Sequence, residues 1–414
     1  MTYQQRSATS ILSISLQTAM ALICAGISAA AVPAQAQTYS VIHYFSGESD
    51  GENPIAGVTV AGPGKLVGTT SGGRGSVFKL TQNGAGSTLD PLYDFTGDPT
   101  NGPYAGVVVG PNGALYGTTQ FDGAYGAGSI FEVTPPPTAC HTAICYWNQT
   151  VLHSFTGNLG DGERPLYGNV IFDQAGNMYG TAEEEGGFDC GVVWKMAPSG
   201  SGWTESVIYN FTGAADGCNP FAGVTFDAAG NLYGTTYRGG IDGGGTVYQL
   251  TPSNGSWAEH TLADFNESTG YYSSASLIAD QSGNFYGTTE LGGPNGWGTV
   301  FELSPSNGGW NFSLVYGFSK CGSYPGVTLG PDGNLYGVCV TGGANDDGWV
   351  FDMPPNCNQT CTANDLHDFA GTDGQYPQGA VVFDASGNLY GTTLQGGQGC
   401  SGSGGCGVVW EITP

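Results

Sequence analysis

Seven copies of one unit of roughly 50 residues fill this chain, and a fixed period of that length restricts it to a repeat architecture in which each copy buries its faces against its neighbours. The register is clearest at a Tyr-Gly-Thr-Thr core. It reads Val67-Gly68-Thr69-Thr70, Tyr116-Gly117-Thr118-Thr119, Tyr179-Gly180-Thr181-Ala182 and Tyr233-Gly234-Thr235-Thr236 in the first four copies. The last three read Tyr286-Gly287-Thr288-Thr289, Tyr336-Gly337-Val338-Cys339 and Tyr390-Gly391-Thr392-Thr393.

One copy, Val207 to Pro252, predicts four short strands. Val207–Phe211 is followed by a turn carrying Asp216-Gly217, then by Gly223–Phe226. Asp227-Ala228-Ala229-Gly230 forms a tight hairpin, because Asp can bond its own backbone two residues on and Gly accepts positive φ. Asn231–Thr236 and Thr246–Leu250 complete the set. Four antiparallel strands joined by short loops make one propeller blade. The chain is therefore read as all-β, a seven-bladed β-propeller of four-stranded antiparallel blades. The 73 glycines, the recurrent turn dipeptides and the lack of a helical period agree with this.

A Phe ends the first strand of every copy: Phe45, Phe95, Phe155, Phe211, Phe265, Phe318 and Phe369. The fourth strand carries an aromatic in every copy, Phe78, Phe131, Trp194, Tyr248, Phe301, Phe351 and Trp410. Repeated aromatics on strands read as inter-blade core. The glycine in each Tyr-Gly-Thr-Thr core is expected to let a ring lie against the backbone. If the Phe-ended strand is outermost, the last blade lacks that strand and Val41–Phe45 supplies it, so the N-terminal strand closes the ring and removes an open edge.

The pattern Asp-x-x-Gly-Asn-Leu-Tyr-Gly-Thr-Thr, then Gly-Gly, then Gly-Thr-Val-aromatic-x-Leu-Thr-Pro resembles the Gloeo/Verruco ("GloVer") tandem repeat of exported bacterial proteins. The resemblance implies export and a propeller-like repeat, and it brings no catalytic motif with it. Copy five departs most: it lacks the Asp-Gly and the Pro, reading Ser268-Thr269-Gly270-Tyr271-Tyr272.

Residues 1–36 read as a secretory signal peptide: Arg6, an apolar stretch from Ile11 to Ala31, and Ala34-Gln35-Ala36 as the cleavage signal. Residues 37–414 are then a single seven-repeat propeller domain, secreted or held in the periplasm or at the cell surface, with no membrane span in the mature chain. It is expected to be a monomer. Beyond residue 36, 34 acidic residues face seven basic ones. That field excludes nucleic acid and anionic lipid as partners and favours solubility or cationic partners.

Ten cysteines follow Cys24. An even number in an exported chain points to disulfides. Cys140–Cys145, Cys357–Cys361 and Cys400–Cys406 fit within single loops. Cys190–Cys218 and Cys321–Cys339 fit loops that a propeller brings to one face. Zinc is disfavoured, because no Cys or His partners stand at matching spacing.

The innermost strands, from Val58-Thr59-Val60 to Val381-Val382-Phe383, carry no ionisable residue, which argues against catalysis in the channel. His43, His153 and His367 share one rim position, and no G-x-S-x-G, H-E-x-x-H or P-loop element is present. Two constellations remain on one loop face. Aromatics precede the inner strands at Tyr104, Phe221, Tyr324 and Tyr376, with Tyr271 and Tyr272 in the divergent copy; they either stack on a ligand or pack loop on loop. Carboxylates at Asp161, Asp216, Asp373, Glu183 and Glu184 are either calcium ligands or ordinary turn residues, since the EF-hand spacing is absent. The expected function is a secreted, non-enzymatic binding module taking an extracellular glycan or protein, with no cofactor beyond a possible calcium ion. The alternatives are an extracellular polysaccharide lyase or glycosidase using these carboxylates, or a structural envelope protein.

Overall fold

The Asp-x-x-Gly-Asn-x-Tyr stretch is a self-contained hairpin whose hydrogen bonds explain why the same residues recur. At Asp227, Oδ1 accepts the backbone N–H groups of Ala229 (2.8 Å) and Asn231 (2.9 Å). Oδ2 accepts the Asn231 side-chain amide (2.7 Å) and the Tyr233 hydroxyl (3.0 Å). Asp173, Asp280 and Asp384 repeat the arrangement. Burial works against the Asp227 carboxylate, but these donors outweigh it and hold its pKa below the ordinary value. Gly230 takes φ +86°, a conformation that carries no Cβ penalty for glycine.

The computed structural model describes residues 37–414 except 48, 85, 97–101, 138–144, 159, 201, 323–324 and 401–403. The proposed signal sequence therefore lies outside the described residues. The described residues form seven four-stranded antiparallel sheets and no α-helix, so none is long and apolar enough to cross a membrane. In chain order the inner strands are Thr59–Gly62, Val108–Val109, Ile171–Phe172, Thr225–Phe226, Ile278–Ala279, Val327–Leu329 and Val382–Phe383. We number the blades 1 to 7 from these strands. Blade 7 contains Val382–Phe383, Leu389–Thr393 and Val408–Thr413, and its outermost strand is Thr38–Tyr44. Thr38 pairs with Thr413 and Tyr44 with Val408, so the N-terminal strand closes the ring.

The core runs between blades as a cycle of ring contacts. Each strand-ending Phe packs on the fourth-strand aromatic of the next blade: Phe95 on Phe131 at 5.2 Å, Phe211 on Tyr248 at 4.9 Å, Phe265 on Phe301 at 5.1 Å. The cycle passes through the closure, with Phe369 on Trp410 at 6.1 Å and Phe45 on Phe78 at 5.3 Å. The same Phe anchors its loop, since its N–H donates to a glycine carbonyl, as in Phe211 to Gly191 (3.1 Å) and Phe45 to Gly407 (3.2 Å).

Disulfides join Cys190 to Cys218, Cys321 to Cys339, Cys357 to Cys361 and Cys400 to Cys406, with Cα separations of 4.6, 5.0, 5.2 and 5.6 Å. All four lie within the ordinary disulfide range. Cys145 is also disulfide-bonded, and its expected partner Cys140 lies outside the described residues.

Candidate functional site at the channel mouth

The loops leading into the inner strands converge on one end of the channel. The Thr-Thr cores hold them there. Thr392, Thr69 and Thr181 donate through Oγ1 to the carbonyls of Ala56, Ala105 and Ala222, each at 2.9 Å. Those alanines directly follow Ile55, Tyr104 and Phe221, so the repeat motif fixes the residues that face the mouth. The cavity has a volume of about 350 Å³. Tyr104, Tyr167, Asn169, Ser274, Thr328 and Gln378 are among its lining residues. Every polar side chain among the described lining residues is uncharged.

A chain of six rings in contact runs from the mouth, where Tyr104 and Tyr167 line the cavity, across the loops into four consecutive inner strands and the loop after Leu232–Thr235. Tyr104 meets Tyr167 edge-on at 6.3 Å, and Tyr167 meets Phe221 at 6.3 Å. Phe221 stacks on Tyr237 at 4.4 Å, and Tyr237 stacks on Tyr272 at 4.7 Å. Tyr271 ends the series edge-on to Tyr272 at 4.8 Å. Tyr167 is 40% exposed. Of the residues expected from sequence, Tyr104, Phe221 and Tyr271 thus fall in one chain of ring contacts, of which Tyr104 lines the cavity and Tyr271 packs on the core cluster that includes Tyr233 and Phe265. Tyr376 shares the register of Tyr272 (both at positive φ, each carbonyl accepting from the residue after the Thr-Thr strand) but stands two blades away. Tyr324 lies outside the described residues.

Sequence reasoning missed Tyr167 and Tyr237. Counting back three residues from the inner-strand Val107, Val170 and Val224 places Tyr104, Tyr167 and Phe221 in register, whereas counting forward from the preceding Pro does not. Tyr237 sits where the other copies carry Ser71, Gln120, Glu183, Glu290, Val340 and Leu394, so no residue type marks the position.

That position also places two buried carboxyl groups beside the mouth. Glu290 is 5% exposed and accepts from the Tyr237 hydroxyl at 3.1 Å. Burial pushes it up to about 7, against hydrogen bonds from Ser274 and Tyr237. Glu183 is likewise pushed up to about 7 by burial, with Arg164 opposing and Glu184 and Glu163 adding to the rise. Arg164 lies 3.4 Å from Glu183 and 2.7 Å from Glu184, with its guanidinium over the Phe121 ring at 5.1 Å.

A pH dependence follows for Glu290. Unfolded, it titrates near its ordinary 4.5; folded, near 7. The folded state therefore binds more protons between those values, and stability falls as pH rises from about 4.5 to about 7. Glu290→Gln removes this slope. The difference in unfolding free energy between variant and wild type, read from denaturant melts, should widen from pH 5 to pH 8, reaching up to about 3 kcal/mol in favour of the variant. A gap that does not change with pH would contradict the buried acid.

The remaining carboxylates are spread over separate blades. Asp161 accepts from Thr156 N (3.0 Å) and Oγ1 (2.7 Å), Asp216 from Thr212 N (2.8 Å) and Tyr209 (2.9 Å), and Asp373 from Ala370 N (2.8 Å). Each closes the turn after its own outer strand. The rim histidines serve the same turns, with His43, His153 and His367 at 3.2, 3.5 and 2.9 Å from Asp50, Asp161 and Asp373. Burial holds all three imidazoles below their ordinary pKa although the aspartates favour the cation. Among the described residues, one trio has metal-ligand spacing, Glu52, Cys400 and Cys406, and its two sulfurs are bonded to each other.

No curated protein matches the sequence. Solved structures of similar chain path include a protein of unknown function from Dyadobacter fermentans, with 11% identity and a TM-score of 0.48 over 92% of this chain and all of the other. A chain of a nidogen/laminin complex shares 15% identity with a TM-score of 0.44, covering 74% of this chain and 94% of its own. The PQQ-bound aldose sugar dehydrogenase of Streptomyces coelicolor shares 14% with a TM-score of 0.42, covering 76% and 95%. The model of the Gloeobacter/Verrucomicrobia repeat matches residues 144–351, half of the chain and four of its Tyr-Gly cores. By that match and by the seven blades built on its motif, the chain belongs to the Gloeobacter/Verrucomicrobia repeat family.

Proposed function

We propose that the protein is an exported, non-enzymatic carbohydrate-binding propeller that holds a neutral glycan at the channel mouth. The observation that carries this reading is the chain of ring contacts from Tyr104 to Tyr271, two of whose rings, Tyr104 and Tyr167, line a cavity whose described polar residues are uncharged. Aromatic faces stack on the C–H faces of sugars, and a few fixed amide and hydroxyl groups orient the hydroxyls. A cavity of about 350 Å³ falls in the range of small-ligand sites. A glycosidase needs two carboxylates flanking the scissile bond, and the described lining holds none. The disulfides support an oxidising, extracytoplasmic location.

A glycan array followed by calorimetry tests the reading. The triple variant Tyr104→Ala/Tyr167→Ala/Phe221→Ala should lose at least about 100-fold in affinity for any glycan bound, given about 1 kcal/mol or more per aromatic anchor. Binding should persist in EDTA, and no sugar should be cleaved. Unchanged affinity in the triple variant would sink the proposal. Turnover that disappears in Glu183→Gln would establish the enzyme instead.

A further inference from the structure

In three consecutive inter-blade grooves on the face opposite the mouth, a tryptophan is seated against a tyrosine at the groove wall. Between blades 2 and 3, Tyr116 and Phe172 meet edge-on at 5.1 Å and Trp203 lies 6.1 Å from Tyr116. Between blades 3 and 4, Tyr179 and Phe226 meet at 5.2 Å and Trp257 lies 6.3 Å from Tyr179. Between blades 4 and 5, Trp310 lies 5.5 Å from Tyr233. Each tryptophan stands opposite a proline in its hairpin: Pro198–Trp203, Pro252–Trp257 and Pro305–Trp310.

The groove between blades 6 and 7 has the same wall without the tryptophan. Tyr336 and Phe383 meet edge-on at 4.9 Å. Blade 7 draws its outer strand from Thr38–Tyr44, so no hairpin joins it to Val408–Thr413. One step beyond the Thr38–Thr413 pair, Gln37 faces Pro414 and takes the register of the tryptophans. Both residues border the groove, whose apolar floor includes Leu329, Leu389 and Ile412. Its volume is about 770 Å³, against about 440 Å³ for the groove that holds Trp310. Asp332 and Asp384 stand at its rim, on a chain of net charge −26.

We propose that this groove is a socket for the tryptophan side chain of a basic polypeptide segment from a partner protein. Three neighbouring grooves of the same molecule show what fills such a wall, an indole beside a Tyr ring, carried on extended chain. An aromatic ring gains most from this setting, because it buries a large area with few rotors to freeze and meets the wall rings in a favourable edge-on geometry. The rim carboxylates and the overall acidity select lysine or arginine beside it and make the association weaken with salt.

The test is calorimetry on the purified protein with a blocked Lys-Trp-Lys peptide, a Lys-Leu-Lys control and N-acetyltryptophanamide, repeated on Gln37→Trp. Gln37 is exposed, so the substitution leaves the core alone while supplying the missing indole in register. Lys-Trp-Lys should bind at one site, at least about 10-fold tighter than either control. Gln37→Trp should abolish that binding and raise Tm by roughly 2 °C. Absence of Lys-Trp-Lys binding, or binding that survives in Gln37→Trp, would overturn the proposal. Equal affinity for N-acetyltryptophanamide would assign the socket to free indole compounds, and dimerisation abolished by Gln37→Trp would assign it to a second copy. Either result removes the basic partner segment.

Discussion

Removal of Thr38–Phe45 should make the protein aggregate. Every blade has four strands, and blade 7 takes its fourth from this segment. Without it, Val408–Thr413 becomes a bare edge with unpaired N–H and C=O groups beside the fully buried Val409 and Trp410. Such an edge is a template for pairing with another chain. The loss also cuts the cycle of ring contacts at Phe45–Phe78. A milder variant separates edge exposure from packing: Phe45→Ala keeps the strand but empties a fully buried site, at a cost of about 3–5 kcal/mol. Calorimetry and gel filtration read both. A deletion variant that elutes and melts like wild type would show that the ring does not close through this strand.

The architecture was legible because repetition turns one weak pattern into seven concordant ones. A single Asp-x-x-Gly-Asn-Leu-Tyr is merely a hairpin signal, but seven strand-ending Phe residues at a constant offset mark a surface that every copy buries. The closure was legible from phase, since Val41–Phe45 is a Phe-ended strand with no other blade to join. The pairings of Cys190 with Cys218 and Cys321 with Cys339 followed from which loops share a face.

The site was only partly legible, for two physical reasons. Its residues lie in loops, where a one-residue insertion, as at Leu166-Tyr167, shifts a ring out of apparent register without disturbing the strand that follows. Its chemistry also comes from positions that vary between copies: Tyr237 in blade 4 holds the rings together where blade 5 has Glu290, and the two are linked by a hydrogen bond across blades. The acidic residues have a local role in the turns. Asp161, Asp216 and Asp373 recur because each turn needs a side-chain acceptor for its own backbone N–H groups, and that need is met locally. The open groove beside Gln37 depends on a cross-strand register between residues at opposite ends of the propeller sequence, which no local pattern displays.

The Gly180→Ala substitution should be among the most damaging single changes in the molecule, although it adds one methyl group. Gly180 pairs across the sheet with Trp194, whose indole lies against the glycine. A Cβ at residue 180 would stand 2.3 Å from Cζ2 of Trp194 and 2.9 Å from Cε2. Trp194 is fully buried and also meets the Phe155 ring at 6.2 Å, so moving it displaces packed side chains. The clash must be relieved by shifting the inter-blade core, at a cost of at least about 1–3 kcal/mol. Gly391 under Trp410 and Gly234 under Tyr248 are built alike, with added Cβ atoms at 2.2 Å from Cζ2 of Trp410 and 2.6 Å from Cζ of Tyr248. A second substitution distinguishes ring overlap from backbone preference: Trp194→Leu alone opens a cavity, but combined with Gly180→Ala it makes room for the methyl. The pair should therefore cost less than the sum of the single changes, a coupling of about 1 kcal/mol or more for groups in direct contact. Additive losses in denaturant melts would mean that the glycine is not needed to seat the ring.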